Sequence, residues 1–224
     1  LDSDYFKGTI SIRLVKEALH NAERQGYEIN DLLTQAGIAP ELLHTDKTRV
    51  SVIQYAQLWI VLADAMNDEF FGMDHRPMRR GSYIFLSKSV LQAADLGKAL
   101  SHILQFLNLV LDDFSSTHFV QENYAYIVIK DSRQPKRMFS YATYLMLIHG
   151  MMCWLCGQRV ILNRIQLKCT APLDDSDYRM RFCDDIQYHA DENYIQFDAS
   201  YLKIAIKQDK KSWHQFIQHT PYNL

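Results

Sequence analysis

"STHFVQENYAYIVIK", residues 116–130, decides the fold. Its halves, "STHFVQE" ending near Glu122 and "YAYIVIK" after Asn123, are runs rich in β-branched and aromatic residues. The short polar break between them is of the kind that joins antiparallel neighbours, so the stretch predicts two adjacent strands. On both sides the periodicity changes. Before it, Asp95 is placed to cap a helix whose Leu96, Leu100, Ile103, Leu107 and Val110 run down one side. That stripe could pack internally or form a dimer face, and internal packing is the reading adopted, because amphipathic helices mostly bury their stripe in their own core. After it, "DSRQPKR" interrupts the pattern and a long apolar helix runs from Phe139 to Cys156. "RIQLKC" and "NYIQFD" read as further strands, separated by a short helical or loop segment around Tyr178 to Phe182. Helices and strands are segregated after residue 110, which predicts an α+β fold with a mainly antiparallel sheet packed with long helices.

Working back toward the start, residues 1–68 read as a helical N-terminal subdomain. From Ile10 to Gln25, Leu14, Val15, Ala18, Leu19 and Ala22 recur at three- and four-residue steps and the stripe stops at Gly26. "INDLLTQAGIAPELL" gives a short helix ended by Gly37, with Pro40 suited to the first turn of another. Ser51 is an N-cap for "VIQYAQLWIVLADAMN", where Tyr55, Leu58, Trp59 and Leu62 share a face. Helical hairpins invite a DNA-binding reading, but no second helix here clusters Arg or Lys. Residues 69–208 follow as an α+β region and residues 209–224 as a tail, with flexible linker expected only after Gln208.

The 24 Lys plus Arg against 26 Asp plus Glu, a net charge of −2, give the piece as a whole no electrostatic reason to hold a polyanion. Cys153, Cys156, Cys169 and Cys183 lack the dense framework of small secreted domains, so reduced thiols and a cytoplasmic location are expected. Residues Leu1 to Gly8 mix charge and aromatics where a signal peptide needs an apolar run, and read as a remnant or linker. "YATYLMLIHGMMCWLCG" is short of the roughly 20 residues that span a bilayer and carries His149 and Gly150 at its centre, so it reads as a buried helix, with no membrane partner.

Recognisable catalytic motifs are missing: no phosphate-cradling glycine loop, no G-x-S-x-G elbow, no H-E-x-x-H. Cys153-Trp-Leu-Cys156 could be a redox pair or half a zinc site, but Met151, Met152, Trp154 and Leu155 around it favour buried structural cysteine, and no metal or other cofactor is implied. His149 in the same apolar helix reads as a hydrogen-bonded core residue, or else as a polar group lining a cavity. His214 and His219 lack metal-binding companions and read as solvated.

Three longer stretches carry a family resemblance: "LLTQAGIAPELLHTDKTRVSVIQYAQLWIVLADAMNDEFFGM", "GSYIFLSKSVLQAADLGKALSHILQFL" and "FCDDIQYHADENYIQFDASYL". Their signposts are "AGI" with the following Pro and Leu pair, Arg49-Val50 before a helix, "FFG" at Phe70 to Gly72, Gly81, Leu96 with Ala99-Leu100, Phe182 and Leu202. In this order they resemble the N-terminal effector-binding, arabinose-binding-like domain of AraC-type transcriptional regulators. "GSYIFLSKS" departs from the pattern in lacking a second glycine after the first. The resemblance implies a non-enzymatic domain that senses a small molecule, a homodimer, and contact with DNA only through a C-terminal pair of helix-turn-helix units. That pair is missing here, and the ending "WHQFIQHTPYNL" resembles the interdomain junction, so a truncated regulatory fragment is expected.

"HRPMRRGSYIF" offers the first place to look for a site. Arg79 or Arg80 could fix a ligand carboxylate by a bidentate pair, between walls from Tyr83, Phe85, Leu104, Asn108, Met146, His149 and Trp154. Such a lining would suit a carboxylate or amphiphile. The plainer reading is a solvated turn whose arginines pair with surface acids. Two other functions stay open: a ligandless dimerisation or interaction module with a solid core, and an enzyme using a Cys or His nucleophile, for which no nucleophile-base spacing is visible.

Overall fold

Each element begins where the local chemistry satisfies a helix end or pairs a strand. The computed structural model describes residues 8–45, 47–132 and 136–219. Strand β1 (Thr9–Ser11) leads into helix α1 (Ile12–Arg24), which starts when the Ser11 hydroxyl accepts the Arg13 N–H and which buries Ile12, Val15, Ala18, Leu19 and Ala22. Helix α2 (Ile29–Gln35) and a 3-10 turn from Pro40 to His44 lead to β2 (Arg49–Ser51), which pairs antiparallel with β1, Ile10 opposite Val50. Ser51 and Gln54 form a reciprocal capping box, 3.1 Å and 3.0 Å, from which α3 (Val52–Met66) runs.

Residues 67–81 are an irregular segment knotted around two carboxylates. Asp68, 3% exposed, accepts the N–H groups of Phe70, Gly72 and Met78 at 2.9, 2.7 and 2.8 Å. Glu69, also buried, reaches across to Gly81 and Tyr83, accepting both N–H groups at 2.8 Å. It thereby caps helix α4 (Ser82–Ser89), whose own N-cap residue, Gly81, stands at φ +93° and has no side chain to do so.

Asp95 accepts the Lys98 N–H at 2.8 Å and opens α5 (Leu96–Val110). The hairpin follows: β3 (Phe114–Gln121) and β4 (Tyr124–Asp131), joined by Glu122 and Asn123 with Gln121 opposite Tyr124. Next come α6 (Met138–Cys156), β5 (Leu162–Gln166), α7 (Ser176–Arg181), β6 (Ile186–Gln187), β7 (Asn193–Asp198), a 3-10 turn from Ala199 to Lys203 and α8 (Lys210–His219). The larger sheet has the order β3-β4-β7-β5-β6, antiparallel except for the β5–β6 pair. Ala125, Ile127 and Ile129 of β4 alternate inward with Ile195 and Phe197 of β7, and the α5 stripe of Leu96, Leu100, Ile103 and Leu107 is buried.

Helix α6 is the central post, touching α1 and α5. It is long and apolar enough to cross a membrane, yet 83% of its apolar window is buried inside the protein. Each fully buried aliphatic side chain there, such as Leu147 or Ile148, stabilises the fold by about 2 kcal/mol. One apolar cluster runs from Ile12 to Phe216, so the N-terminal helices and the sheet share a core.

The architecture is α+β with a mainly antiparallel sheet, as the hairpin stretch predicts. Three differences are local. The start is not wholly helical, because β1 and β2 pair across some forty residues, and three-residue strands have too little length to show a period. The strand expected in "RIQLKC" sits slightly earlier, at Leu162–Gln166, with an irregularity between Leu162 and Arg164, and β6 was invisible as two residues. The tail after Gln208 is a docked helix rather than free linker: Trp213 and Phe216 are buried, and the Trp213 indole N–H donates to Ser87 Oγ at 2.9 Å. His214 is exposed as expected, while the side chain of His219, residues 1–7 and residues 133–135 of "DSRQPKR" lie outside the described residues.

Candidate functional site

Where the N-terminal layer meets α6 and α7, the packing leaves two neighbouring spaces with shared walls. The inner one, about 280 Å3, is walled by Tyr55, Ala56 and Trp59 of α3, Phe139, Ala142, Thr143 and Met146 of α6, and Tyr178 and Phe182 at α7. Ala56 and Ala142 stand in its lining, where longer side chains would fill the space. Burial pushes the Tyr55 and Tyr178 phenols up out of the range in which they ionise. Thr143 spends its hydroxyl on the Phe139 carbonyl at 2.9 Å, and the Tyr55 hydroxyl makes a long 3.5 Å bond to the Leu14 carbonyl and neighbours the Trp59 indole N–H. The Trp59 indole N–H is buried with no hydrogen-bond partner among the described residues.

Charge is confined to the lining formed by Arg159, Asp177 and Arg181. Arg159 folds onto the carbonyl of Arg181 at 2.7 Å. Asp177 is committed to structure: it accepts the Ser11 N–H at 3.0 Å and pairs with Arg49 at 2.8 Å, tying α7 to β1 and β2. Arg159 and Arg181 thus bring two guanidinium groups to this part of the lining, and the Asp177 carboxylate beside them is already paired with Arg49. The outer space, about 720 Å3, shares Leu14, Phe139, Asp177 and Tyr178 with the inner one and is lined by Arg13, Lys16, Lys136, Arg137 and Lys168 against Glu17 and Asp174. Arg137 pairs with Glu17, and Lys136 with Asp113 at 2.6 Å.

The nine residues singled out from the sequence do not share one cavity. Met146 lines the inner space. Arg80 and Tyr83 line a separate recess of about 160 Å3 with Trp59, Glu69, Phe71, Leu147 and Ile217. Arg80 is held there by Asp64 at 2.6 Å and Glu69 at 3.2 Å, the pairing with acids that the plainer reading of the turn anticipates, and Tyr83 donates to the Leu147 carbonyl at 3.1 Å. Arg79 is exposed, and Phe85 is 67% exposed. Leu104 is buried in the core, and Asn108 uses its amide on the backbone of Ser116. Trp154 stacks on Phe216 with ring centroids 4.2 Å apart. His149 lies one layer behind the inner space, 6.3 Å from the Phe182 ring, with Nε2 2.7 Å from the Val160 carbonyl.

Tyr55 and Trp59 were legible as one face of α3, but nothing in sequence marks that face as a cavity wall. Arg159, Asp177 and Arg181 carried no signal at all, because they reach the site through irregular segments and a six-residue helix. The cysteines are free, and burial raises the thiol of Cys153 and pushes Cys156 up to about 11 and Cys169 up to about 12, which suits structural rather than reactive groups. No group of three His, Cys, Asp or Glu side chains that could hold a metal occurs among the described residues.

Comparison with known proteins adds a family. Residues 26–205 match the family model described as the arabinose-binding domain of AraC transcription regulator, N-term. Among solved structures the chain is similar to the transcriptional regulator CdpR from Pseudomonas aeruginosa, at 16% identity and a TM-score of 0.44, over 83% of this chain and 58% of that one. No curated protein matches.

Proposed function

The chain belongs to the family of N-terminal arabinose-binding domains of AraC-type transcription regulators, and from that premise we propose that its inner cavity receives the small-molecule effector of a regulator. The observation that carries the reading is an apolar space with five aromatic walls and arginines at one end, between two layers of the fold. Few polar groups among many apolar ones is the usual construction of a small-ligand site. At roughly 30 Å3 per non-hydrogen atom the cavity holds on the order of ten such atoms. A compact carboxylate or amphiphile fits, its apolar body against Tyr55, Trp59, Phe139 and Phe182 and its anion toward Arg159 and Arg181.

Of the residues first considered, Met146 belongs to this site; Arg79, Phe85, Leu104 and Asn108 are assigned no ligand contact. The domain works without catalysis. Binding biases one of two arrangements and so alters how a helix-turn-helix unit, outside these residues, meets DNA. A homodimer in the cytoplasm is part of the same proposal and rests on the family. Within it, residues 1–68 and 69–208 act together as the sensor, with residues 209–224 as the junction.

Native mass spectrometry and calorimetric titration with octanoate, phenylacetate and octanol test the reading. A retained small mass, or binding of the acids that Ala142→Trp abolishes, is expected. A bare mass and no heat with any of the three would favour the ligandless dimerisation module instead.

A further inference from the structure

Trp59 stands between two empty spaces. It lines both the inner cavity and the 160 Å3 recess, and Ile217 of α8 also lines that recess. Edge-on contacts flank the indole, Tyr55 at 6.0 Å and Phe71 at 5.0 Å between centroids, and its buried N–H makes no hydrogen bond of ordinary geometry among the described residues, the Tyr55 hydroxyl being its polar neighbour. Helix α8 docks through its aromatic face: Phe216 stacks on Trp154 and lies 6.3 Å from Tyr83, Trp213 bonds Ser87 beneath Lys88, and just before the helix the Gln208 amide donates to the Trp154 carbonyl at 2.6 Å.

We propose that Trp59 relays occupancy of the inner cavity to α8: filling the cavity presses the indole toward the recess, where it closes empty space beneath Ile217 and strengthens the docking of the helix. The proposal rests on the effector reading of the inner cavity, although its mechanical part does not need the ligand's identity. Packed side chains change between discrete arrangements, and a side chain that borders two spaces, its indole N–H meeting only the Tyr55 hydroxyl, is one that can do so at low cost. Coupling is reciprocal, so a better-docked α8 also favours the filled cavity.

The test replaces the ligand by side-chain volume. Ala142→Leu and Ala56→Leu each add carbon to the inner cavity, and hydrogen exchange of residues 208–219 is followed by mass spectrometry in the full chain. Slowing of α8 exchange by about fivefold or more, abolished when Trp59→Leu is added, is expected. Unchanged α8 exchange in filled, folded variants would overturn the relay, and so would slowing that persists with Trp59→Leu. Ala142→Val, a smaller step, serves if the larger variants do not fold. If the filled variants slow α8 while neither octanoate nor phenylacetate binds the wild type, the effector reading fails and the relay stands.

Discussion

Glu69 shows what a single buried residue decides. Its carboxylate caps α4 and holds Arg80, so "HRPMRRGSYIF" is a scaffold joint in which one of the two arginines first considered as an anion grip is already committed. Burial raises the carboxyl of Glu69 above its ordinary range, and does the same to Asp68. His149 is shifted the other way. Burial holds its imidazole down at about 4, Nε2 is bonded to the Val160 carbonyl, and Nδ1 has no partner among the described residues. Between pH 6.5 and about 4 the unfolded chain takes up a proton that folded His149 refuses, so its contribution is fully present above that window and is lost as pH falls through it. The loss is about 3 kcal/mol at the acid end. Urea midpoints from pH 7 to pH 4 should fall more steeply in the wild type than in His149→Gln; parallel curves would mean that the imidazole is not held neutral by burial.

At the scale of elements, capping residues were the reliable guide. Ser51 and Asp95 start α3 and α5 where their side chains predict, because a cap is a contact within a few residues and needs no tertiary partner. The hairpin was equally legible, since period and break are local. The edge it presents was not. Strand β3 is an outer strand, and Asn108 of α5 covers part of it, donating to the Ser116 carbonyl at 2.9 Å and accepting the Ser116 N–H at 2.7 Å. An amide playing the part of a missing strand both satisfies a buried backbone and blocks pairing with other chains. Asn108→Ala should cost about 1–2 kcal/mol in chemical unfolding and leave acid binding unchanged. A fall in ligand affinity at constant stability would return Asn108 to the site.

The whole molecule is held at the candidate site by one carboxylate. Asp177 links α7 to both strands of the small sheet, through the Ser11 N–H and Arg49, and it borders both neighbouring spaces. Because it is partly buried and bridges two layers, its loss should loosen a boundary rather than unfold the core. For Asp177→Ala we expect a stability loss of about 1–3 kcal/mol, and faster hydrogen exchange confined to Thr9–Ser11 and Arg49–Ser51. Acid ligands should also leave sooner, read as a raised off-rate. Uniformly faster exchange would mean that Asp177 supports the whole fold and is no boundary latch.

By itself the sequence determined the α+β class, the starts of α3 and α5, the hairpin and the family resemblance, all of which depend on periodicity, capping and the order of short signposts along the chain. Tertiary structure alone decided the site. The inner cavity is a volume left between α3, α6 and α7, and its charged groups, Arg159, Asp177 and Arg181, lie a hundred residues or more from Tyr55 and Trp59. A void has no residue to mark it in sequence; it is the space that remains when elements distant along the chain pack with short side chains, Ala56 and Ala142, on its border.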